Sequence, residues 1–185
     1  WDAGAQFSHH MFFCKFSNNQ DEIIRTLQEV NQYKKDIGWF SHRPPNNVLI
    51  NGNMKMFTGF DIIGYKIEEE HLKSILDFVL STHSETGGCN VYDYVYVLAK
   101  CLEIDYRVDV AKQQLEKMYN LILEYQQDDG GFSYDKNHSQ TAYYGQRITP
   151  GLKAGDIHGT TLFGMALSKI DNALDLGLNL SLAVS

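Results

Sequence analysis

Four short polar clusters of histidines, carboxylates and amides stand out in this 185-residue chain. They are Ser8-His9-His10, Asn51-Gly52-Asn53, Tyr92-Asp93 and Asp156-Ile157-His158. An imidazole or carboxylate can move a proton, or orient a ligand, where a few polar groups converge on an apolar pocket. His158, Asp156, His9, His10 and Asp93 are therefore the candidate catalytic residues. Asn51, Asn53 and Tyr92 are candidate ligand contacts beside them. The same residues also have a plain structural use, because Asn or Asp before a helix caps it. A further cluster, His138 with Tyr143, Tyr144 and Arg147, suits sugar binding through ring stacking and forked guanidinium hydrogen bonds. A base beside a group that neutralises a carboxylate would also serve proton abstraction in a polysaccharide lyase.

Composition narrows the partners. Sixteen Lys and Arg against 23 Asp and Glu give a net charge of −7. A field of that sign is a poor match for nucleic acid or for an anionic membrane surface. No apolar run approaches the roughly 18 residues of a membrane span. Cys14, Cys89 and Cys101 are an odd set without C-x-x-C spacing, which implies neither a disulfide framework nor a zinc knuckle. Reduced, mostly buried thiols and a cytoplasmic location are the corresponding expectation.

Helices must position the clusters. Val108, Ala111, Leu115, Met118 and Ile122 recur every three or four residues, with Asp109, Lys112, Glu116 and Lys117 on the other face. Leu72, Ile75, Leu76 and Val79 repeat the pattern after Glu68-Glu69-Glu70, an acidic start that suits a helix N-terminus. Ile23, Leu27 and Val30 do so behind a capping pair, Asn19 and Glu22. Between these wettable segments lie four others, 7–16, 54–63, 91–102 and 157–170, apolar or aromatic nearly all round and so expected to be buried on most sides. Phe12, Phe57, Tyr96 and Phe163 are their candidate ligand-facing aromatics.

The joints between wettable and apolar helices are alike. Lys34…Gly38-x-Phe40, His83…Gly87-x-Cys89 and Gln126…Gly130-x-Phe132 share one spacing, with glycines 49 and then 43 residues apart. Each glycine is expected to stop an outer helix in a left-handed conformation. The 133–155 stretch is longer than most connections, which favours a functional loop. Leu174, Leu176, Leu178, Leu180 and Leu182 satisfy both strand and helix spacing, and in either form are expected to pack.

Gln126-Gln-Asp-Asp-Gly130-Gly131-Phe132 resembles the Q-x-x-x-G-x-W repeat of triterpene cyclases, with Phe for Trp. Gly130-Gly-Phe…Asp135-Lys136…Asp156-Ile-His158-Gly-Thr160…Ala166-Leu-Ser168 is similar to the repeat of protein prenyltransferase β subunits. The resemblance implies an all-α fold over residues 1–185: a partial α/α toroid of inner and outer helical hairpins around a central cavity. About four repeats fit the length, fewer than a closed ring needs, so a fragment or incomplete ring is expected, with further repeats from a missing segment or another chain.

For function, the resemblance implies a prenyltransferase- or cyclase-like protein with an apolar-walled cavity for a small, isoprenoid-like ligand. A carbohydrate-active lyase or hydrolase, or a non-catalytic scaffold or subunit, are the alternatives. The prenyltransferase zinc ligand stands three residues after the Asp of its repeat. Gly159 occupies that position here, His158 comes one residue early, and no thiolate accompanies Asp93. Zinc needs at least three protein ligands, so no metal or other cofactor is expected. Asp128-Asp129 lacks the cyclase acid motif and reads as a helix stop carrying a solvated charge.

Overall fold

A computed structural model describes residues 2–82, 87–178 and 180. The chain is all-α apart from small two-stranded hairpins, and it divides into two compact units, Trp1–His83 and Ser84–Ser185. The first holds α1 (Asp2–Phe16), α2 (Gln20–Asn31), the hairpin β1 (Lys34–Lys35) and β2 (Gly38–Trp39), α3 (Asn46–Ile63) and α4 (Glu69–Ser81). The second holds α5 (Gly88–Cys101), α6 (Val108–Leu123), the hairpin β3 (Ala142–Tyr143) and β4 (Gln146–Arg147), and α7 (Ile157–Leu174). Among the described residues no helix is long and apolar enough to cross a membrane.

Within each unit the apolar helices pack on one another past the wettable one that separates them in sequence. In the first unit α1 lies on α3, and in the second α5 lies on α7. Hydropathy explains the division. Residues 91–98 of α5 are buried on every side, whereas α6 buries one stripe, Ala111, Leu115, Met118 and Ile122. Leu115, Met118 and Ile122 each contribute about 1.5–3 kcal/mol when removed from water. The start of α2 is fixed by Asn19, whose side chain accepts the Glu22 N–H at 3.2 Å.

Three expectations need correction. First, α1 is not buried on most sides: Phe13 is 69% and Phe16 72% exposed, and Phe12 is exposed with them. An aromatic run shows that a face is apolar but not that anything covers it. Second, the joint glycines do not end the outer helices. The C-caps of α2, α4 and α6 are Gln32, Thr82 and Glu124, none of them left-handed. Gly38 pairs across the first hairpin, Gly87 caps the start of α5, and Gly130 closes a turn in which its N–H donates to the Gln127 carbonyl at 2.9 Å. All three have positive φ, at 148°, 97° and 84°, so the backbone requirement for Gly is met in turns instead. His83 lies outside the described residues.

Third, the leucine run beyond Leu174 does not pack. Asp175 ends α7 in a left-handed conformation, and Leu176, Leu178 and Leu180 are exposed and irregular. Polar bonds hold this segment instead: the buried Asp171 carboxylate accepts the Leu178 and Leu180 N–H groups at 3.0 and 3.2 Å, and the Ser168 hydroxyl donates to the Leu180 carbonyl. Leu182 lies outside the described residues.

Candidate functional site

The site is built in the second unit, where the chain between α6 and α7 folds back onto the first turn of α7. Asp156 organises it. Its Oδ1 accepts the Gly159 N–H at 2.7 Å and caps α7, while Oδ2 accepts the Tyr134 N–H at 2.8 Å and the Gln140 N–H at 2.9 Å. One carboxylate thus satisfies a helix end and two loop amides, each a charge-assisted bond. Thr160 adds a second tie, its hydroxyl accepting from the Phe132 N–H at 3.0 Å and donating to the Phe132 carbonyl at 3.2 Å. Asp129 is not a helix stop. Its carboxylate joins the turn to the far end of the loop, accepting the Gly131 N–H at 3.0 Å and the Gly155 N–H at 3.0 Å.

Glycine makes this closeness possible. A Cβ on Gly159 would stand 2.4 Å from the Tyr134 nitrogen, 2.5 Å from the Ser133 carbonyl carbon and 2.7 Å from the Phe132 oxygen. No side chain fits there. The position that the prenyltransferase resemblance assigns to a zinc ligand is filled by backbone.

His158, one residue earlier, is held on both nitrogens. Its Nδ1 lies 2.9 Å from Gln140 Oε1, and a carbonyl oxygen only accepts, so Nδ1 carries the proton. That tautomer leaves Nε2 as an acceptor, and it lies 3.9 Å from Cys89 Sγ. The ring stacks on Tyr134 (centroids 4.8 Å apart, planes 19° apart) and meets the edge of Tyr143 at 5.7 Å. Burial, with hydrogen bonding to the Cys89 thiol, pushes the Tyr134 hydroxyl above its usual range. Tyr134 therefore stays a neutral donor.

Beside this group opens a cavity of about 1000 Å³. Ile148, Ile157 and Tyr143 give it apolar walls, and Asp156, His158 and Gln140 supply polar groups. Ile157 is 89% exposed at the first position of α7, which no folding argument explains.

The other sequence-derived candidates lie elsewhere. Tyr144 is 74% exposed at the hairpin tip with φ of 45°, and Arg147 is exposed on β4. His138 lies near Asp135, Nδ1 to Oδ2 at 3.9 Å. Tyr92 and Asp93 are buried in α5, and burial with the neighbouring Asp93 pushes the Tyr92 hydroxyl up to about 12. Tyr96 meets Tyr92 edge-on at 5.9 Å and holds the Lys169 ammonium 3.9 Å over its face. Phe163 is fully buried between Tyr125 and Phe132, at 4.7 and 5.8 Å.

In the first unit His9 is exposed, and His10 meets Glu22 at 3.1 Å and Cys14 at 3.5 Å. Asn51 is half-buried, Asn53 donates to the Ile37 carbonyl at 2.9 Å, and Phe57 is buried against Trp39. Among the described residues no three His, Cys, Asp or Glu side chains are grouped to hold a metal, so the donor set does not fit the zinc of the prenyltransferases.

Cys89, Gln140, Tyr134, Ile148 and Ile157 are site residues that sequence reasoning did not select. Cys89 carried a signal, since it stands where the other two joints place an aromatic. Comparison of the chain with protein-family models, curated proteins and solved structures found no match in any of the three.

Proposed function

We propose that this chain is a helical-hairpin repeat protein of the α/α toroid kind, and that the cavity at the α7 N-terminus of its second unit binds a small hydrophobic, isoprenoid-like molecule. The packing of apolar helices past an intervening wettable one supports the architecture. One observation carries the binding site. Exposed Ile157, Ile148 and Tyr143 surround a cavity of about 1000 Å³ whose polar groups are already fixed by Asp156 and Gln140. Apolar walls with a few preset polar groups describe a ligand site better than a packing defect. The free cysteines support a cytoplasmic location for such a protein.

Titration of the protein with farnesol tests the reading. Ile157→Asp puts a charge in the wall at a position that folding does not use, and it is expected to weaken binding at least ~tenfold, the value of one well-buried branched side chain. Unchanged affinity in Ile157→Asp, or no binding to the parent protein, defeats the proposal. A carbohydrate reading has one specific support, the exposed Tyr143–Tyr144 pair with rings 4.6 Å apart on the hairpin. Oligosaccharide binding that is lost in Tyr144→Ala and retained in Ile157→Asp would favour that reading over the first.

A further inference from the structure

We propose that Cys89 is a nucleophile activated by His158, and that the second unit hydrolyses esters of acyl groups carried on an apolar chain. The inference rests on the apolar-ligand reading of the neighbouring cavity for its substrate class, and on independent geometry for its chemistry.

Three features act on one sulfur. Cys89 is the second residue of α5, where the helix dipole and first-turn amides favour an anion. His158 faces it through Nε2, the unprotonated nitrogen, because Gln140 takes the Nδ1 proton at 2.9 Å. Tyr134 completes the set. Its ring is stacked on the imidazole, and its hydroxyl hydrogen-bonds to the thiol, which offers a second donor to a thiolate. Nucleophile, base and orienting amide stand in the order that activates cysteine and serine nucleophiles on unrelated folds. The 3.9 Å sulfur–nitrogen separation is of the looser kind expected before substrate binds. The other two thiols differ. Cys14 and Cys101 are buried, and burial raises both, Cys101 to about 12.

The chemistry balances with water as co-reactant. The Cys89 proton passes to His158 Nε2 as Sγ adds to the carbonyl carbon of an ester. The carbon–oxygen bond to the alcohol then breaks, and His158 returns the proton to the leaving oxygen, so an S-acyl cysteine remains. Water, giving a proton to His158, adds to the thioester carbonyl carbon; the carbon–sulfur bond breaks, His158 returns the proton to Sγ, and the carboxylic acid leaves. The cavity beside His158 would hold the acyl chain, Gln140 acts as a positioning residue, and Cys89 and His158 carry the reaction.

Two arms of one experiment separate the chemistry from the cavity. Iodoacetamide needs no apolar pocket, and at pH 6 an ordinary thiol is almost wholly protonated. Among the described residues, His158 from α7 and Tyr134 from the loop are titratable groups that face Cys89. Peptide mass spectrometry of the native protein is expected to show Cys89 alkylated at least ~tenfold faster than glutathione at pH 6, with Cys14 and Cys101 unmodified. His158→Gln should remove that advantage. A Cys89 rate no greater than glutathione overturns the proposal on the parent protein alone, whatever the variant's folding. An unchanged rate in a folded His158→Gln protein does the same. In the second arm, p-nitrophenyl octanoate should release nitrophenol at least ~tenfold faster than p-nitrophenyl acetate and leave an octanoyl group on Cys89. A fast Cys89 that does not distinguish octanoate from acetate keeps the activated thiol and overturns the apolar-ligand reading.

Discussion

Each unit has a joint where a closely packed glycine lies beside polar groups, and the two are covered in opposite ways. In the first, Gly38 lies where a Cβ would stand 2.3 Å from Asn53 Oδ1, and Trp39 covers the joint, packed on Phe60 at 5.1 Å and on His71 at 4.6 Å. Its polar groups, Asn53 and His71, are sealed in. In the second, Gly159 receives the loop backbone, but the loop then turns away and leaves His158 and Asp156 lining a cavity. The difference lies in what covers the polar groups: Trp39 closes over one set, and the 133–155 loop that packs against Gly159 leaves the other open. Polar clusters in one chain therefore do not carry equal functional weight. A buried, covered polar cluster specifies a fold; a fixed polar cluster beside open apolar surface is available to a ligand.

Substitutions at each joint should separate these roles. The largest effect is expected for Gly159→Ala, whose new methyl meets three backbone atoms inside 2.8 Å. Overpacking against backbone costs about 3 kcal/mol. Denaturant unfolding should show that loss, together with loss of farnesol binding, because the loop that carries Tyr134 and Gln140 must shift. Next is Asp156→Ala, which removes the α7 cap and strands two loop amides. A loss of about 2 kcal/mol follows, and Asp156→Asn should recover part of it through the cap alone. Thermal unfolding of the two variants side by side checks both.

The smallest effect belongs to the sealed joint. Burial, then the nearby Lys34 charge, lower the His71 pKa below its ordinary value of about 6.5. The unfolded chain therefore binds more protons than the folded one between the lowered and the ordinary value, and stability falls as pH drops through that window. Above pH 6.5 the contribution is complete. Protection factors of the α4 amides, taken relative to the intrinsic exchange rate at each pH, should fall on acidification from pH 7 to pH 5, and His71→Phe should flatten that dependence. A response confined to α7 would contradict the contrast between the joints.

How much of this was legible follows from where each signal resides. The three amphipathic helices were readable because periodicity is local, and Asn19 and Asp156 announced their caps by residue type. Positive φ at Gly38, Gly87 and Gly130 was readable too, yet not the element that used it, since a hairpin, an N-cap and a turn make the same demand. Exposure of Phe13 and Phe16 depends on the surroundings of α1, which composition does not encode. His158 and Asp156 were found by type and position. Cys89 was not, because its partner is 69 residues away and only the packing of α5 on α7 brings them together.

The central claim is that the second unit's open joint, not any other apolar surface, receives a hydrophobic ligand. Amide chemical-shift mapping during farnesol titration tests it most directly, because the exposed phenylalanines of α1 offer a competing apolar surface. Perturbations concentrated between residues 129 and 161, with His158 and Ile157 among the largest, are the predicted result. Perturbations centred on Phe12, Phe13 and Phe16, with residues 129–161 unmoved, would contradict it.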